Sequence, residues 1–395
     1  MTILEGARVL TMHPGDEPSW TAAQVAVDDG RIVGIGQGLA VPGAQRRDFT
    51  GRYIVPGLID LHCHVTYSGG RVEDELTQSV QERTLHAAHN ASVTLRSGVT
   101  TARDPGGIDH IDIAVRDAVA AGRIEGPNLR AAGQMIAMTG GHGWFYGIEG
   151  DGPDAIRRLV REQIKARADW IKFMASGGFA EAHESPEAVQ LDLDELTAGV
   201  REAKKAGRKA TAHAHPAQAM KNAILAGCDS IEHASFPDDE CIDLLLERDV
   251  AICPTFSIYF KMKEHGPEMG LKPEVVDVTR RLWDRKVERF QRCLDAGVRV
   301  VLGTDSGSPV GYHGDIATEL ELFAQLGMSA YDALSCATYK AAALLDMEGE
   351  VGSLAAGKRA DLVVLAGDPL GDPGAVRSVV AVMKDGRFVP GVGVA

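Results

Sequence analysis

Val55-Pro56-Gly57-Leu58-Ile59-Asp60-Leu61-His62-Cys63-His64 carries an apolar run straight into two histidines. The pattern predicts one strand over Tyr53–His64. Side chains alternate along a strand, so His62 and His64 share a face and can reach one metal ion together. Standing alone, the pair reads equally as the polar end of a strand. Its meaning depends on what stands at the ends of the other strands.

Outward from this stretch, the centre of the chain alternates short apolar runs with helical periodicity. The strand candidates are Tyr53–His64, Val99–Asp104, Asn128–Ala132, Trp170–Met174, Lys209–His213, Ser230–His233, Ala251–Thr255 and Val298–Asp305. Helical patterns lie between them, for example over Asp154–Arg167, Asp194–Ala206, Pro216–Ala226 and Asp239–Arg248. Ser97-Gly98, Ala121-Gly122, Ala206-Gly207, Ala226-Gly227 and Ala296-Gly297 supply left-handed helix stops before the next strand. This rhythm predicts an α/β fold, a parallel (β/α)8 TIM barrel. A doubly wound open sheet would show a Gly-rich phosphate fingerprint after an early strand, and none is present. Gln134–Gly152 and Ser257–Glu274 break the rhythm and are expected as long loops at the C-terminal mouth.

The ends of the chain read differently. Asp28-Asp29-Gly30-Arg31 joins two β-prone runs into a hairpin, and Val379–Phe388 repeats the idiom. Neither end has the apolar residues for a core of its own. Residues 1–55 plus 355–395 are therefore expected to combine into one small β-sandwich domain, with the barrel over 56–354.

Composition sets outer limits. Hydrophobic residues at 45% and charged residues at 24% fit an ordinary globular protein. A net charge of -14 argues against nucleic-acid partners, which need clustered Lys and Arg. No apolar run approaches the roughly 18 to 20 residues of a membrane span, so no membrane partner is expected. The N-terminus lacks the basic-then-apolar pattern of a secretory signal. The cysteines are scattered without close pairs, which favours free thiols and a cytoplasmic location. A homo-oligomer is compatible with all of this.

Four more residues are out of character with their surroundings. Lys172 interrupts Trp170-Ile171-Lys172-Phe173-Met174, where an ammonium is costly to bury. Burial would lower its pKa and expose a reactive amine; the alternative is a strand-end lysine reaching solvent. His213 and His233 end consecutive strand candidates, and spacing alone does not separate His213 from His215. Asp305 closes Val300-Val301-Leu302-Gly303-Thr304-Asp305, where a helix N-cap is the plain alternative.

Together these residues resemble the amidohydrolase superfamily. The likeness spans Val55–His64, Lys172, His213, His233, Gly303-Thr304-Asp305 and the re-entry Gly352-Ser353-Leu354-Ala355-Ala356-Gly357-Lys358-Arg359-Ala360-Asp361-Leu362-Val363. The lysine, with Thr139-Gly140-Gly141-His142-Gly143 upstream, is similar to the imidazolonepropionase-like branch of prolidases, Xaa-Arg/Lys carboxypeptidases and ochratoxinases. The resemblance implies two divalent metal ions, usually Zn2+. His62, His64 and Asp305 would hold one and His213 and His233 the other, with a CO2-derived carbamate on Lys172 between them. It implies Asp305 and His142 as catalytic residues, and His142, His215, Tyr259 and Arg103 as substrate contacts. Arg103, His183, Tyr259, Tyr312 and His313 are the residues available to meet a substrate carboxylate. The small-molecule substrate implied is a dipeptide or N-acyl amino acid, cleaved by a hydroxide bridging the metals. A phenylurea, carbamate, lactone or organophosphate would suit the same chemistry. Deaminases of the superfamily typically lack the lysine, and a non-catalytic scaffold would lack ligands that are all present here.

Overall fold

The structure, a computed structural model, describes residues 1–179 and 184–392. The chain divides into two compact units: Met1–Asp60 with Ser92–Ala102 and Gly314–Ala395, and Leu61–Ala91 with Arg103–His313. The first unit takes in residues 314–354, which the sequence reading assigned to the central domain.

In the first unit the two ends of the chain interleave. A six-stranded sheet runs, in order, Arg387–Phe388, Val379–Lys384, Leu362–Leu365, Tyr53–Pro56, Arg8–Val9 and Thr21–Ala22. A four-stranded sheet runs Arg31–Gly36, Gln24–Asp28, Thr2–Glu5 and Gln45–Asp48. Alternation turns Leu4, Val25, Val27 and Ile32 of one sheet, and Val9, Ile54, Leu362 and Val364 of the other, into a single buried cluster. Both expected hairpins form, each around an Asp-Gly pair. Asp29 and Gly30 have φ of 46° and 79°, and Asp385 and Gly386 have 49° and 73°, the left-handed pair that tight hairpins need.

In the second unit Trp170–Met174, Lys209–Pro216, Ser230–Phe236 and Ala251–Cys253 pair in parallel. Backbone hydrogen bonds extend the series in both directions. Asp169 N–H donates to Ala131 O (2.7 Å), Ala132 to Asp104 (3.0 Å) and Cys63 to Arg103 (3.1 Å). On the other side Val301 donates to Ile252 and Leu61 to Leu302, both at 3.0 Å. Helices Pro153–Lys165, Leu193–Lys205, Ala217–Ala226 and Asp239–Glu247 fall within two residues of their predicted bounds. In Pro153–Lys165 the buried Ile156, Leu159, Val160 and Gln163 form one stripe at helical spacing. The five predicted stops, Gly98, Gly122, Gly207, Gly227 and Gly297, all have positive φ.

Three expectations are corrected. Tyr53–His64 is two strands, Tyr53–Pro56 and Leu58–Asp60, because Gly57 divides a segment paired antiparallel to Leu362–Leu365 from one paired parallel to Val99–Asp104. His62 and His64 follow the second strand rather than lying on it. Val298–Asp305 forms only one isolated bridge, from Val300 to Ile252. The left-handed φ of 58° at Asp305 cannot continue a strand. Ser257–Glu274 is largely helical, with Phe256–His265 burying Phe256, Tyr259 and Met262 along one stripe, a period the sequence reading missed.

Gly57 passes close to buried Thr100, whose Cγ2 would stand 2.7 Å from a Cβ at position 57. Gly57→Ala should cost about 1–3 kcal/mol of stability through overpacking, read as a lower urea midpoint. An unchanged midpoint would show that this approach has slack.

Candidate metal centre

His62 and His64 leave the end of Leu58–Asp60 with their Nε2 atoms 3.2 Å apart. Asp305 Oδ1 stands 3.5 Å from each. The other ring nitrogens are spoken for. His64 Nδ1 lies 2.6 Å from Gly106 O, and a carbonyl only accepts, so Nδ1 carries the proton. His62 Nδ1 lies 2.7 Å from the Glu232 carboxylate, which fixes the same tautomer. Two imidazole lone pairs and a carboxylate oxygen therefore face one another in a buried space, all within 4.8 Å. Such lone pairs repel unless a cation lies between them, so the donor set fits a divalent metal.

The local chain geometry serves this convergence. Asp305 N–H donates to His62 O at 2.7 Å, and His64 N–H to Ser306 O at 2.7 Å, locking the two segments together. Gly303 permits it, since a Cβ there would come within 2.6 Å of His62 Cβ. Asp305, His233 (φ 68°) and Thr255 (φ 50°) are all left-handed. Left-handed non-glycine residues are costly and cluster at functional sites.

Lys172, His213 and His233 complete one cavity with His62, His64 and Asp305. The His213 and His233 rings lie 4.4 Å apart. His213 Nε2 is 3.2 Å from Gly177 O and so donates to it, which leaves Nδ1 as its lone-pair atom. His233 Nδ1 meets Thr255 Oγ1 at 2.8 Å. His213 and His215 meet different surroundings. The strand register shifts between Ala214 and Pro216, and His215 ends in hydrogen bonds to Ser235 Oγ (2.8 Å) and the Tyr259 hydroxyl (3.4 Å). His213 lines the cavity; His215 stands behind its wall.

Burial governs the charges. It lowers the Lys172 ammonium to about 8 and His62 to about 4. It also holds His213, His215 and His233 well below the usual histidine value, with neighbouring cationic groups adding to the effect. For His64 burial is outweighed by Asp104 and Asp305, and its pKa rises. Glu232, although buried, is held well below the carboxylate range by Arg103 and His62.

His142 lines the cavity, its Nδ1 2.7 Å from Glu184 Oε2. Tyr259 lines an adjoining space. Arg103, expected at the mouth, is fully buried. Its guanidinium donates to Leu61 O (2.7 Å), Ser230 Oγ (2.9 Å) and Glu232 Oε1 (2.5 Å), and it stacks 4.7 Å over Trp170. That correction follows from its full burial among protein acceptors, away from the cavity lining. His313 is held by Tyr67 O (2.7 Å) and Tyr312 is exposed; His183 lies outside the described residues. Sequence reasoning missed Glu232, a carboxylate inside an apolar strand, although the same signal had identified Lys172. It also missed Lys286, whose ammonium donates to His233 O and Pro254 O (both 2.8 Å) and Ser235 Oγ (3.1 Å).

Residues 53–389 match the model of the Amidohydrolase family. The chain is 28% identical to ochratoxinase of Aspergillus niger over 422 residues, covering 96% of this chain and 85% of that protein. Its fold matches the crystal structure of a Xaa-Pro dipeptidase with methionine bound in the active site, at a TM-score of 0.90 and 30% identity, covering 99% of this chain and 100% of that one. A prolidase complexed with N-methylphosphonate-L-proline matches at 0.91 and 30%, covering 98% and 99%.

The buried groups set the pH response of metal-free protein. Folded His62 stays neutral down to about 4, whereas the unfolded chain takes that proton near 6.5. Stability therefore falls as pH drops through this window; His213, His215 and His233 act in the same direction and His64 opposes them. Folded Lys172 releases its proton near 8 and the unfolded chain near 10.5, so its contribution improves as pH rises between those values. Melting temperatures across both windows should show the acid fall, and Lys172→Met should remove part of the alkaline rise. A flat acid limb, or an alkaline rise unaffected by Lys172→Met, would contradict this account.

Proposed function

The chain belongs to the amidohydrolase family, and from that premise we propose that it hydrolyses the amide bond of a dipeptide or N-acyl amino acid. The observation that carries this reading is the facing set of His62 Nε2, His64 Nε2 and Asp305 Oδ1 in a cavity shared with Lys172. His62, His64 and Asp305 would hold one Zn2+, and His213 and His233 a second. A carbamate on Lys172 would join them. When bound, the cation pair lowers the pKa of a water molecule and polarises the scissile carbonyl.

The chain's own groups do the rest. With its pKa near 8, Lys172 keeps an appreciable neutral fraction; the amine nitrogen adds to CO2 carbon and releases one proton, leaving the carbamate anion. Asp305 takes a proton from the attacking water and passes it to the leaving amine, work that contributes about 10²–10⁴-fold. Ser308 Oγ, which donates to Asp305 Oδ1 at 2.7 Å, steadies that carboxylate. His142, anchored on Glu184, meets the substrate carbonyl oxygen. Tyr259 offers a contact on the neighbouring wall, and His215 acts only through Tyr259.

The fold belongs to the same proposal. The backbone bonds that run from Leu61–His64 through Arg103, Asp104, Ala131, Asp169 and the four parallel strands to Leu302 support a closed (β/α)8 barrel. The two sheets sharing one core support a β-sandwich from both termini. Among the described residues no helix is long and apolar enough to cross a membrane. The six cysteines are buried and none forms a disulfide, which suits a reducing cytoplasm.

Zinc-loaded protein should cleave members of a panel of dipeptides and N-acyl amino acids in preference to ureas, lactones and phosphotriesters. Asp305→Asn should keep most of its metal and lose at least about 10²-fold in turnover; full activity in that variant would reject the proton-transfer role. Protein loaded with bicarbonate present should hold close to two zinc ions per chain, and Lys172→Ala fewer. One ion with full activity in both proteins would point to a deaminase-like centre.

A further inference from the structure

Two cavities meet at the centre and share His142, His213, His233, Asp305, Ser308 and Pro309 as a common wall. One extends between Phe179, Ile258, Tyr259, Met262, Leu271 and Val275. The other extends between Tyr67, Val72, Met135, Phe145, Tyr146 and Met174. Each lobe is the face of a separate packed apolar cluster, one around Ile258, Tyr259, Met262 and Val275, the other around Tyr67, Met135 and Met174.

Charge is sparse around both lobes. Among the described residues, Lys172 and Asp305 are the only Lys, Arg, Asp or Glu side chains lining either lobe. Arg103 and Lys286, the buried cations nearby, line neither and donate to protein acceptors. The Tyr146 and Tyr259 hydroxyls are engaged as well, while the buried Tyr67 hydroxyl has no partner among the described residues. Tyr146 donates to Glu75 at 3.3 Å and the Tyr259 hydroxyl lies 3.4 Å from His215 Nε2, so both present rings to the lobes. Beyond Asp305 on the shared wall and Lys172 in the second lobe, a charged side group entering either lobe would shed its water and meet no counter-charge among the described residues. An aliphatic or aromatic group would gain from burial.

We infer that the substrate carries an uncharged apolar group on each side of its scissile bond, one for each lobe. This rests on the amide-hydrolase reading and narrows it. Small or charged residues on either side are selected against, and the two sides are read by different residues.

The experiment varies one side at a time in a series of N-acyl amino acids: apolar (leucyl, phenyl), glycyl-sized and charged (lysyl, glutamyl). Turnover is measured in zinc-loaded enzyme, and binding of the matching ketomethylene isosteres is measured by calorimetry in the same preparation. Each apolar group should improve binding and kcat/KM about 10- to 100-fold over its glycyl-sized counterpart, and charged groups should be weakest. Met262→Lys should abolish the preference on one side only and Val72→Lys on the other; Met262→Ala and Val72→Ala should weaken the same sides and serve where a lysine prevents folding. Equal binding of apolar, small and charged members, or two variants acting on one side, overturns the two-lobe inference whatever the turnover. Isosteres ranked as expected with no amide cleaved overturn the amide-hydrolase reading and leave the lobes standing.

Discussion

The interaction on which this molecule most depends is the buried pair of Arg103 and Glu232. Glu232 receives Arg103 and Ser230 on Oε1 and, on Oε2, the Nδ1 proton of His62; the Thr211 hydroxyl also donates to it. A lone carboxylate could not stay ionised at full burial, and a lone guanidinium could not be buried at all. Together they make a fixed anion behind His62. That anion keeps the imidazole in one tautomer and turns its free lone pair toward His64 and Asp305. The arrangement is expensive in desolvation, and its use is orientation rather than stability.

A second constraint lies in the backbone. His233, Thr255 and Asp305 take left-handed conformations where chain segments end at the cavity. The surroundings hold them there: Lys286 grips the carbonyls of His233 and Pro254, and Thr255 Oγ1 meets the His233 ring. The shift in register after Ala214 belongs with these. By breaking the two-residue alternation it sends His213 and His215 to different surroundings, one to the cavity and one to Tyr259.

Much of this was legible in the sequence because it is local. Strand alternation, glycine stops and Asp-Gly turns are properties of a few adjacent residues, and they located the parallel strands, four helices and both hairpins. The six residues proposed as metal ligands stood out because each is a polar group inside an apolar run or at its end. What stayed hidden was set by contacts distant in sequence. Arg103 reads as an available cation until Glu232, far along the chain, is seen to claim it. The helix Phe256–His265 hid inside a segment whose Gly and Pro residues lie beyond its end. Gly57 is one residue in an apolar run, and only its two different strand partners reveal the break.

The interleaved sheet of the first unit also bears on how the protein is made. Tyr53–Pro56 leaves the ribosome long before one of its partners, Leu362–Leu365. At a synthesis rate of about 5–20 residues per second, Ile54 and its neighbours wait on the order of 15–60 s for that strand. The first unit therefore closes only after Leu362–Leu365 has emerged. Until then an apolar strand edge remains open, a natural client for a chaperone, and a truncation ahead of Leu362 would leave it open for good.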